Sequence, residues 1–389
     1  MKAISRATTL AAIGAGLVAA AASGEAASYV QTNLVSDIGG LAQLTDSSLR
    51  NPWGLAHSAT SPIWIADQGA GVSTLYNVGP SLQVSINPLV VTLPTTGSGP
   101  QGPTGMLFAG VPGAFTISNG AGASGASTFI FANLNGTIDG WNPAVPPPPL
   151  STHAFTGVPA TGALYTGVAL GTSSQGPTLY AANGAQGRID VFDSGFNKIT
   201  LAGNFTDPNL PTGYVPFNVR VINGKVYVTY APAGRPAQTG ATPGQGAIAV
   251  FDLDGNFLQE LAGPGEPGST LAAPWGIALA PADFGQFGGD LLVGNFSFGA
   301  SEISALDPGT GTFLGTIPIA TGSASAGGLW SLDFGTGGNN GTPETLFFTD
   351  GINGERDGLF GALTANVPEP ASAGLLGLGL LLVAARRRR

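Results

Sequence analysis

One pattern recurs along most of the chain, at intervals of about 50 to 65 residues, a spacing typical of propeller blades. Each of six units opens with a turn and a short apolar strand that usually contains Gly. A second strand of β-branched and aromatic residues follows. No long segment has the apolar period of a helix, which argues against an α/β fold. The first strands are predicted at residues 51–56, 103–108, 165–170, 216–221, 274–279 and 327–332, and the second at 63–67, 129–133, 179–183, 226–230, 291–295 and 346–350.

These repeats predict an all-β fold, a six-bladed β-propeller. A third strand alternates polar and apolar residues, as at 187–193, and a tight turn such as 254–256 leads into a fourth strand. The last unit ends early, at 358–363, whereas residues 29–35 form a strand that precedes the first full unit. We therefore expect the N-terminal strand to complete the last blade, because closing the ring in this way removes exposed sheet edges.

The C-terminal segment 365–389 stands apart from the repeats. It contains a Pro-Glu-Pro motif, an uncharged apolar run at 371–385 and four terminal arginines. As a helix the run would span only about 22 Å at ~1.5 Å per residue, short of the roughly 30 Å hydrocarbon core. The arginines resist translocation, so the pattern predicts a transient membrane insertion. The residues that define the segment are Pro368, Glu369, Pro370, Arg386, Arg387, Arg388 and Arg389.

This order of parts resembles the PEP-CTERM sorting signal of Gram-negative bacteria. The resemblance implies recognition by an exosortase, removal of the tail, and delivery to the cell surface or an extracellular matrix. The N-terminus agrees, because Lys2 and Arg6 precede an apolar run at 10–22 and small residues, as in a secretory signal peptide. The predicted organisation is a signal peptide at 1–27, a propeller at 28–364 and a sorting tail at 365–389.

Composition narrows the function classes. Only 9% of the residues are charged, the formal net charge is −9, and both predicted processing events remove basic residues. An acidic mature chain argues against nucleic acid or an anionic membrane surface as a partner. Cysteine is absent, so disulfides, a catalytic thiolate and cysteine-ligated zinc are excluded. The 62 Gly and 30 Pro residues suit a turn-rich extracellular β protein.

The mature region also resembles a family of exported propellers that is distantly related to NHL-type and gluconolactonase-like propellers. That resemblance implies the fold and brings no established activity. The segments that carry it are 31–37, 51–56, 64–67 and 71–76.

The second strand ends in Asp or Asn in five of the six units, and Tyr230 takes this place in the fourth unit. Equivalent positions in a propeller lie at equal radius, so these oxygen-bearing side chains could converge on Ca²⁺ near the channel mouth. Gluconolactonase-like propellers hold a metal at such a place, but the Glu ligand they usually take from the first blade has no counterpart here. The competing interpretation is that each side chain caps the turn after its strand. The five residues are Asp67, Asn133, Asn183, Asn295 and Asp350.

Other motifs give weaker signals. His57 and His153 are the only histidines, and no nucleophile-elbow motif stands in a strand–turn–helix setting, which argues against a Ser-His-Asp mechanism. The Asp-rich stretch 252–256 lacks the Glu that would complete an EF-hand loop, so it predicts a hairpin turn. The prolines at 146–149 predict a stiff spacer. Tryptophans recur in three first strands, where inner-strand packing is favoured over a carbohydrate-stacking platform; they are Trp53, Trp275 and Trp330.

The sequence therefore predicts an exported, cell-surface or matrix-associated propeller without catalytic activity. Its expected ligand is an extracellular polysaccharide, a small molecule or another surface protein. The alternative is a calcium-dependent, lactonase-like hydrolase that uses the Asp/Asn ring.

Overall fold

The computed structural model describes residues 28–145 and 151–366. Within these residues the strands form six sheets arranged around one axis, together with one small hairpin; all strand pairs in the sheets are antiparallel except one short pair in the last sheet. The fold is the predicted six-bladed β-propeller. The proposed signal peptide, the proline spacer and the segment from 367 to 389 lie outside the described residues.

The chain begins with two strands that belong to the last blade. They are β1 (Ser28–Ser36) and β2 (Leu44–Thr45). Blade 1 then consists of β3 (Pro52–Ala56), β4 (Ile63–Asp67), β5 (Val72–Val78) and β6 (Val84–Thr92). Blade 2 consists of β7 (Pro103–Phe108), β10 (Phe129–Asn133), β11 (Ile138–Trp141) and β12 (Phe155–Val158), with the hairpin β8 (Thr116–Ser118) and β9 (Ser124–Ala126) inserted after β7.

Blades 3 to 5 repeat the same order of four strands. Blade 3 consists of β13 (Tyr165–Ser173), β14 (Gly176–Asn183), β15 (Arg188–Phe192) and β16 (Lys198–Ile199). Blade 4 consists of β17 (Tyr214–Ile222), β18 (Lys225–Pro232), the short helix α1 (Arg235–Thr239), β19 (Ala247–Phe251) and β20 (Phe257–Ala262). Blade 5 consists of β21 (Pro274–Leu279), a 3₁₀ turn (Gly285–Phe287), β22 (Leu291–Asn295), β23 (Glu302–Leu306) and β24 (Phe313–Pro318).

Blade 6 is closed by the N-terminus, as the early end of the last repeat predicted. It consists of β25 (Leu329–Phe334), β26 (Leu346–Asp350), the helical turn α2 (Ile352–Glu355) and β27 (Leu359–Asn366). Strand β1 pairs antiparallel with β27, and β2 extends the sheet in parallel. The repeat pattern predicts that the last strand ends near Leu363. This prediction is wrong, because β27 pairs with β1 as far as Asn366, which lies opposite Ser28.

The first strand of each blade packs against the first strand of the next, and together they surround the axis. This close approach depends on glycine. A Cβ at Gly276 would lie 2.2 Å from the Trp330 carbonyl oxygen, and one at Gly54 would lie 2.5 Å from that of Thr104. The middle of the channel is consequently almost filled, with a gap of about 10 Å³, about the room of a single water.

The two ends of the ring differ. At the end where the first strands begin, bulky side chains cover the axis, and we call this the aromatic end. Strand β26 runs toward the aromatic end and finishes at Asp350, opposite Leu329. Strand β27 starts beside Asp350 and runs back, so Asn366, and with it the attachment point of the tail, lies at the opposite end. The residues that define the aromatic end are Trp53, Phe217, Trp275, Phe296 and Trp330.

In residues 28–145 and 151–366, helical structure is confined to short turns between strands. In the part of the chain that the structure describes, no helix combines the length and the apolar character needed to cross a bilayer. The predicted transient membrane helix falls in the tail, outside that part.

We predict that Gly276→Ala destabilises the ring because its methyl group would meet the backbone of the neighbouring first strand. Overpacking of this kind costs about 1–3 kcal/mol, which urea unfolding would measure as a lower free energy of unfolding. Gly39→Ala is the matched control, since a Cβ there has no atom within 4 Å. Equal stability of the two variants would show that the first strands tolerate a wider spacing.

Candidate functional site

Four of the five Asp/Asn residues at the second-strand ends bond within their own blade. Each side chain contacts a polar residue on the third strand, opposite the position two residues before it. We call this contact the cross-strand lock. The locks are Thr74 Oγ1 to Asp67 Oδ2 at 2.7 Å, Asn133 Nδ2 to Asp139 Oδ2 at 2.8 Å, Asn183 Nδ2 to Asp190 Oδ2 at 2.8 Å, and Asn295 Nδ2 to Ser304 Oγ at 3.0 Å, with the donor named first.

The lock is missing from blades 4 and 6. In blade 4, Tyr230 replaces the Asp or Asn of the second strand, and Ala249 replaces the polar partner on the third strand. In blade 6 only the third-strand partner has changed, because Gly361 stands opposite Phe348. Asp350 is fully buried. Because Gly361 has no side chain, neither carboxylate oxygen of Asp350 has a hydrogen-bond partner. Burial raises the pKa of Asp350 to about 7, and the nearby Ser301 hydroxyl offsets only part of that effect.

These contacts bear on the predicted calcium ring. The five side chains do occupy equivalent register positions, each beside the residue that opens its blade's first strand. The four locks, however, direct polar atoms into the blades. Nowhere in 28–145 or 151–366 do three or more His, Asp or Glu side chains form a group that could hold a metal. Calcium binding at the five Asp and Asn positions stays a prediction.

The remaining candidates have local structural partners. His57 Nε2 lies 2.9 Å from the Phe334 carbonyl oxygen, at the end of the ring opposite the aromatic end. His153 is exposed, and its Nδ1 lies 3.1 Å from Thr152 Oγ1. The turn at Asp252 joins two paired strands, which confirms the hairpin prediction.

The aromatic end is formed by a stack of rings. Trp53 stacks on Trp330 with ring centroids 3.5 Å apart, and Phe296 stacks on Trp330 at 4.2 Å. Trp275 contacts Trp53 and Trp330 edge-on. At most 3% of each of these side chains is exposed, which confirms the packing role predicted for the tryptophans. Trp275 Nε1 donates to the Thr166 carbonyl oxygen, and Trp330 Nε1 lies 3.2 Å from Asn51 Oδ1. Trp53 Nε1 is buried without an acceptor.

An ion pair lies across the stack. Arg235, at the start of α1, forms a salt bridge with Glu355, at the end of α2. The guanidinium lies 4.4 Å from the centroid of Phe296 and 5.9 Å from that of Trp330, in cation–π geometry. Burial lowers the pKa of Arg235 to about 10, so the group stays charged at neutral pH. Glu355 Oε1 is buried and lacks a partner.

Beside this ion pair a cavity of about 490 Å³ opens at the aromatic end. Leu134, Leu164 and Phe217 give it apolar walls, and Trp53 and Glu355 also line it. Its size falls within the range of small-ligand pockets, roughly 300–1,000 Å³, and mostly apolar walls with a few polar groups are typical of such sites. The sequence pointed to the tryptophans but not to the ion pair, which joins two loops far apart in the chain.

Comparison with known proteins agrees with this description. Residues 366–389 match the family model of the PEP-CTERM protein-sorting motif. That motif implies export, sorting to the cell surface and processing by an exosortase. A structural genomics protein of unknown function from Bacteroides thetaiotaomicron resembles the ring, with a TM-score of 0.50 and 12% identity, over 87% of this chain and 76% of that one. Fold and motif together define an exported β-propeller protein.

The family follows from closer relatives. The chain belongs to the same family as uncharacterized protein R648 of Acanthamoeba polyphaga mimivirus. The two are 31% identical over 343 residues, which cover 85% of this chain and 78% of the relative. Uncharacterized protein L690 of the same virus is 29% identical over 297 residues, which cover 74% of each chain.

We predict that Asp350→Asn changes how stability depends on pH. The folded pKa of about 7 lies above the unfolded value of roughly 3.9, so this carboxyl lowers the free energy of unfolding as pH rises between them. The amide does not titrate, so the free energy of unfolding of the variant relative to wild type should rise by about 2–3 kcal/mol from about pH 5 to about pH 8, measured by urea unfolding. The exposed Asp283→Asn serves as the control. A variant with the wild-type pH profile would contradict the assignment.

A second prediction concerns calcium. Since the locks already engage four of the five candidate side chains, we expect neither Ca²⁺ nor EDTA to change the melting temperature of the purified mature protein. A rise in melting temperature with Ca²⁺ that Asp67→Ala and Asp350→Ala abolish would establish the metal ring. Calcium-dependent hydrolysis of simple lactones by the same sample would then favour the lactonase alternative.

Proposed function

We propose that this protein is a non-catalytic binding protein of the cell surface or extracellular matrix, and that it takes a small ligand in the cavity at the aromatic end. The observation that carries the proposal is a cavity of about 490 Å³ whose walls combine apolar side chains with a few polar groups, a composition typical of small-ligand sites.

The chemistry of the lining supports binding rather than catalysis. Among the described residues that line the cavity, the ionisable side chains are Arg235 and Glu355, and they form a salt bridge with each other. General acid–base catalysis needs a group that can exchange its proton near the operating pH, and covalent catalysis needs a nucleophile beside a base. The lining offers neither arrangement.

The position of the tail supports a role at a surface. Strand β27 carries the chain from the aromatic end to Asn366 at the other end, and the Pro-Glu-Pro motif follows within two residues. The cavity therefore faces away from a membrane that holds the tail. We propose that the tail inserts transiently in the inner membrane of a Gram-negative cell, that an exosortase removes it, and that the ligand site is accessible before and after this step.

A blocking substitution tests the ligand site. Ala185 is exposed and lines the cavity, so Ala185→Trp should fill it without disturbing the core. Ligand-observed NMR with a panel of mono- and disaccharides, amino acids and aromatic acids should identify binders of the wild-type protein. Their affinity should fall at least about tenfold in Ala185→Trp and stay unchanged in the control Ala185→Ser. A panel without binders, or binders that ignore Ala185→Trp, would overturn the proposal.

A further inference from the structure

We infer that the Arg235–Glu355 ion pair is a releasable strap, which holds α1 across the aromatic end and closes one side of the ligand cavity. Release of the strap lets α1 move outward, opens the cavity over Phe296 and lets a bound ligand leave. This inference rests on the proposed function and concerns the regulation of that same site.

The strap forms one side of the cavity. Four residues from α1, its N-cap and α2 line the cavity, and they are Gly234, Arg235, Gln238 and Glu355. The guanidinium of Arg235 lies 4.4 Å from the centroid of the Phe296 ring, and Phe296 is fully buried beneath it. Movement of Arg235 away from the ring would therefore uncover an aromatic face beside the existing cavity.

Helix α1 has few other contacts that hold it in place. None of its five residues is buried, and its N-terminus has no side-chain cap. A helix this short is not stable by itself, because nucleation is costly and few hydrogen bonds follow. Main-chain hydrogen bonds fix its two ends, from the Ala233 amide to the Gly213 carbonyl oxygen and from the Phe298 amide to the Thr239 carbonyl oxygen. Between these ends, Arg235 supplies the ion pair that ties α1 to another blade.

The partner segment α2 carries backbone strain that the strap opposes. Three successive residues, 353–355, have left-handed φ values of 56°, 67° and 65°. Gly and Asn adopt this conformation readily, but Glu does not. Asn353 is also held by its side chain, which accepts from the Ser325 amide at 2.9 Å and donates to Asp357 Oδ2 at 2.8 Å. Strain of this kind persists only where surrounding contacts impose it, so release of the ion pair lets Glu355 relax.

The exposure of the pair suits a contact that can open and close. The Arg235 side chain is 40% exposed and that of Glu355 is 14% exposed, so water and salt reach one side of the pair. Exposed pairs are weak and are screened by salt, whereas fully buried pairs are strongly held. The cation–π contact with Phe296 adds to the attraction in the closed state. Local opening of α1 can therefore occur while the ring stays folded.

Hydrogen exchange of the mature protein tests the strap without a ligand. Three amides at 237–240 donate to carbonyl oxygens at 234 and 236, so their exchange rates report the opening of α1. Glu355→Gln removes the charge and keeps the size of the side chain, and exchange at 237–240 should become at least about fivefold faster. Asp333→Asn is the matched control, because it breaks the Arg220–Asp333 ion pair, which also joins blades 4 and 6. It should leave exchange in α1 unchanged.

Salt provides a second measurement, on the wild-type protein, that does not depend on the folding of a variant. An increase from about 0.1 M to about 1 M NaCl shortens the Debye length from about 10 Å to about 3 Å. Exchange at 237–240 should become faster, while exchange in the buried strand β22 should stay the same. Exchange at 237–240 that responds neither to Glu355→Gln nor to salt would overturn the strap and leave the proposed function standing.

Dissociation kinetics test whether the strap controls the ligand site. Binders that are sensitive to Ala185→Trp should dissociate at least about threefold faster from Glu355→Gln than from wild type, because release of α1 removes one side of the cavity. An uncharged binder should also dissociate from wild type faster at about 1 M than at about 0.1 M NaCl. Asp333→Asn should keep the wild-type rate. Equal rates in all three proteins would overturn the regulatory role, and a panel without binders would remove the proposed function and the role of the strap in it.

Discussion

Backbone contact between the first strands at the axis is the constraint on which the rest of the structure depends. Glycine in four of the six strands lets neighbouring blades approach until a Cβ would strike the next backbone. A ring packed this tightly has no open channel through its middle. Along the axis, space for a ligand remains at the aromatic end, where bulky side chains from the first strands form the floor of the cavity. The glycines are Gly54, Gly105, Gly167 and Gly276.

Departures from the repeat coincide with the candidate site. The cross-strand lock holds four blades, and it is missing from blades 4 and 6. These are also the blades in which a helical segment separates the second strand from the third, and these segments supply Arg235 and Glu355. Positions at which one repeat departs from the pattern of the others are often functional or strained. The ion pair joins the two irregular blades across the aromatic stack, and the cavity lies beside it.

Closure of blade 6 connects the fold to export. Strand β1 supplies the outer ladder of the last blade, and its first residue is registered with Asn366. The first and last residues that the structure describes therefore lie side by side. Because β27 runs away from the aromatic end, both lie at the end opposite the cavity. The sorting motif, which follows Asn366 in the sequence, is thus attached far from the cavity.

Local pattern alone determined the blade order, the strand type, closure by the N-terminus and the burial of the tryptophans, because these follow from periodicity, turn residues and apolar burial. It also indicated the sorting tail, whose parts are contiguous. It could not reveal that β27 extends to Asn366, since the partner strand lies at the other end of the chain. Nor could it show that Gly361 leaves Asp350 without a partner, or that Arg235 meets Glu355. The ion pair joins blades 4 and 6, which only the closed ring brings together, so the tertiary structure decided the site.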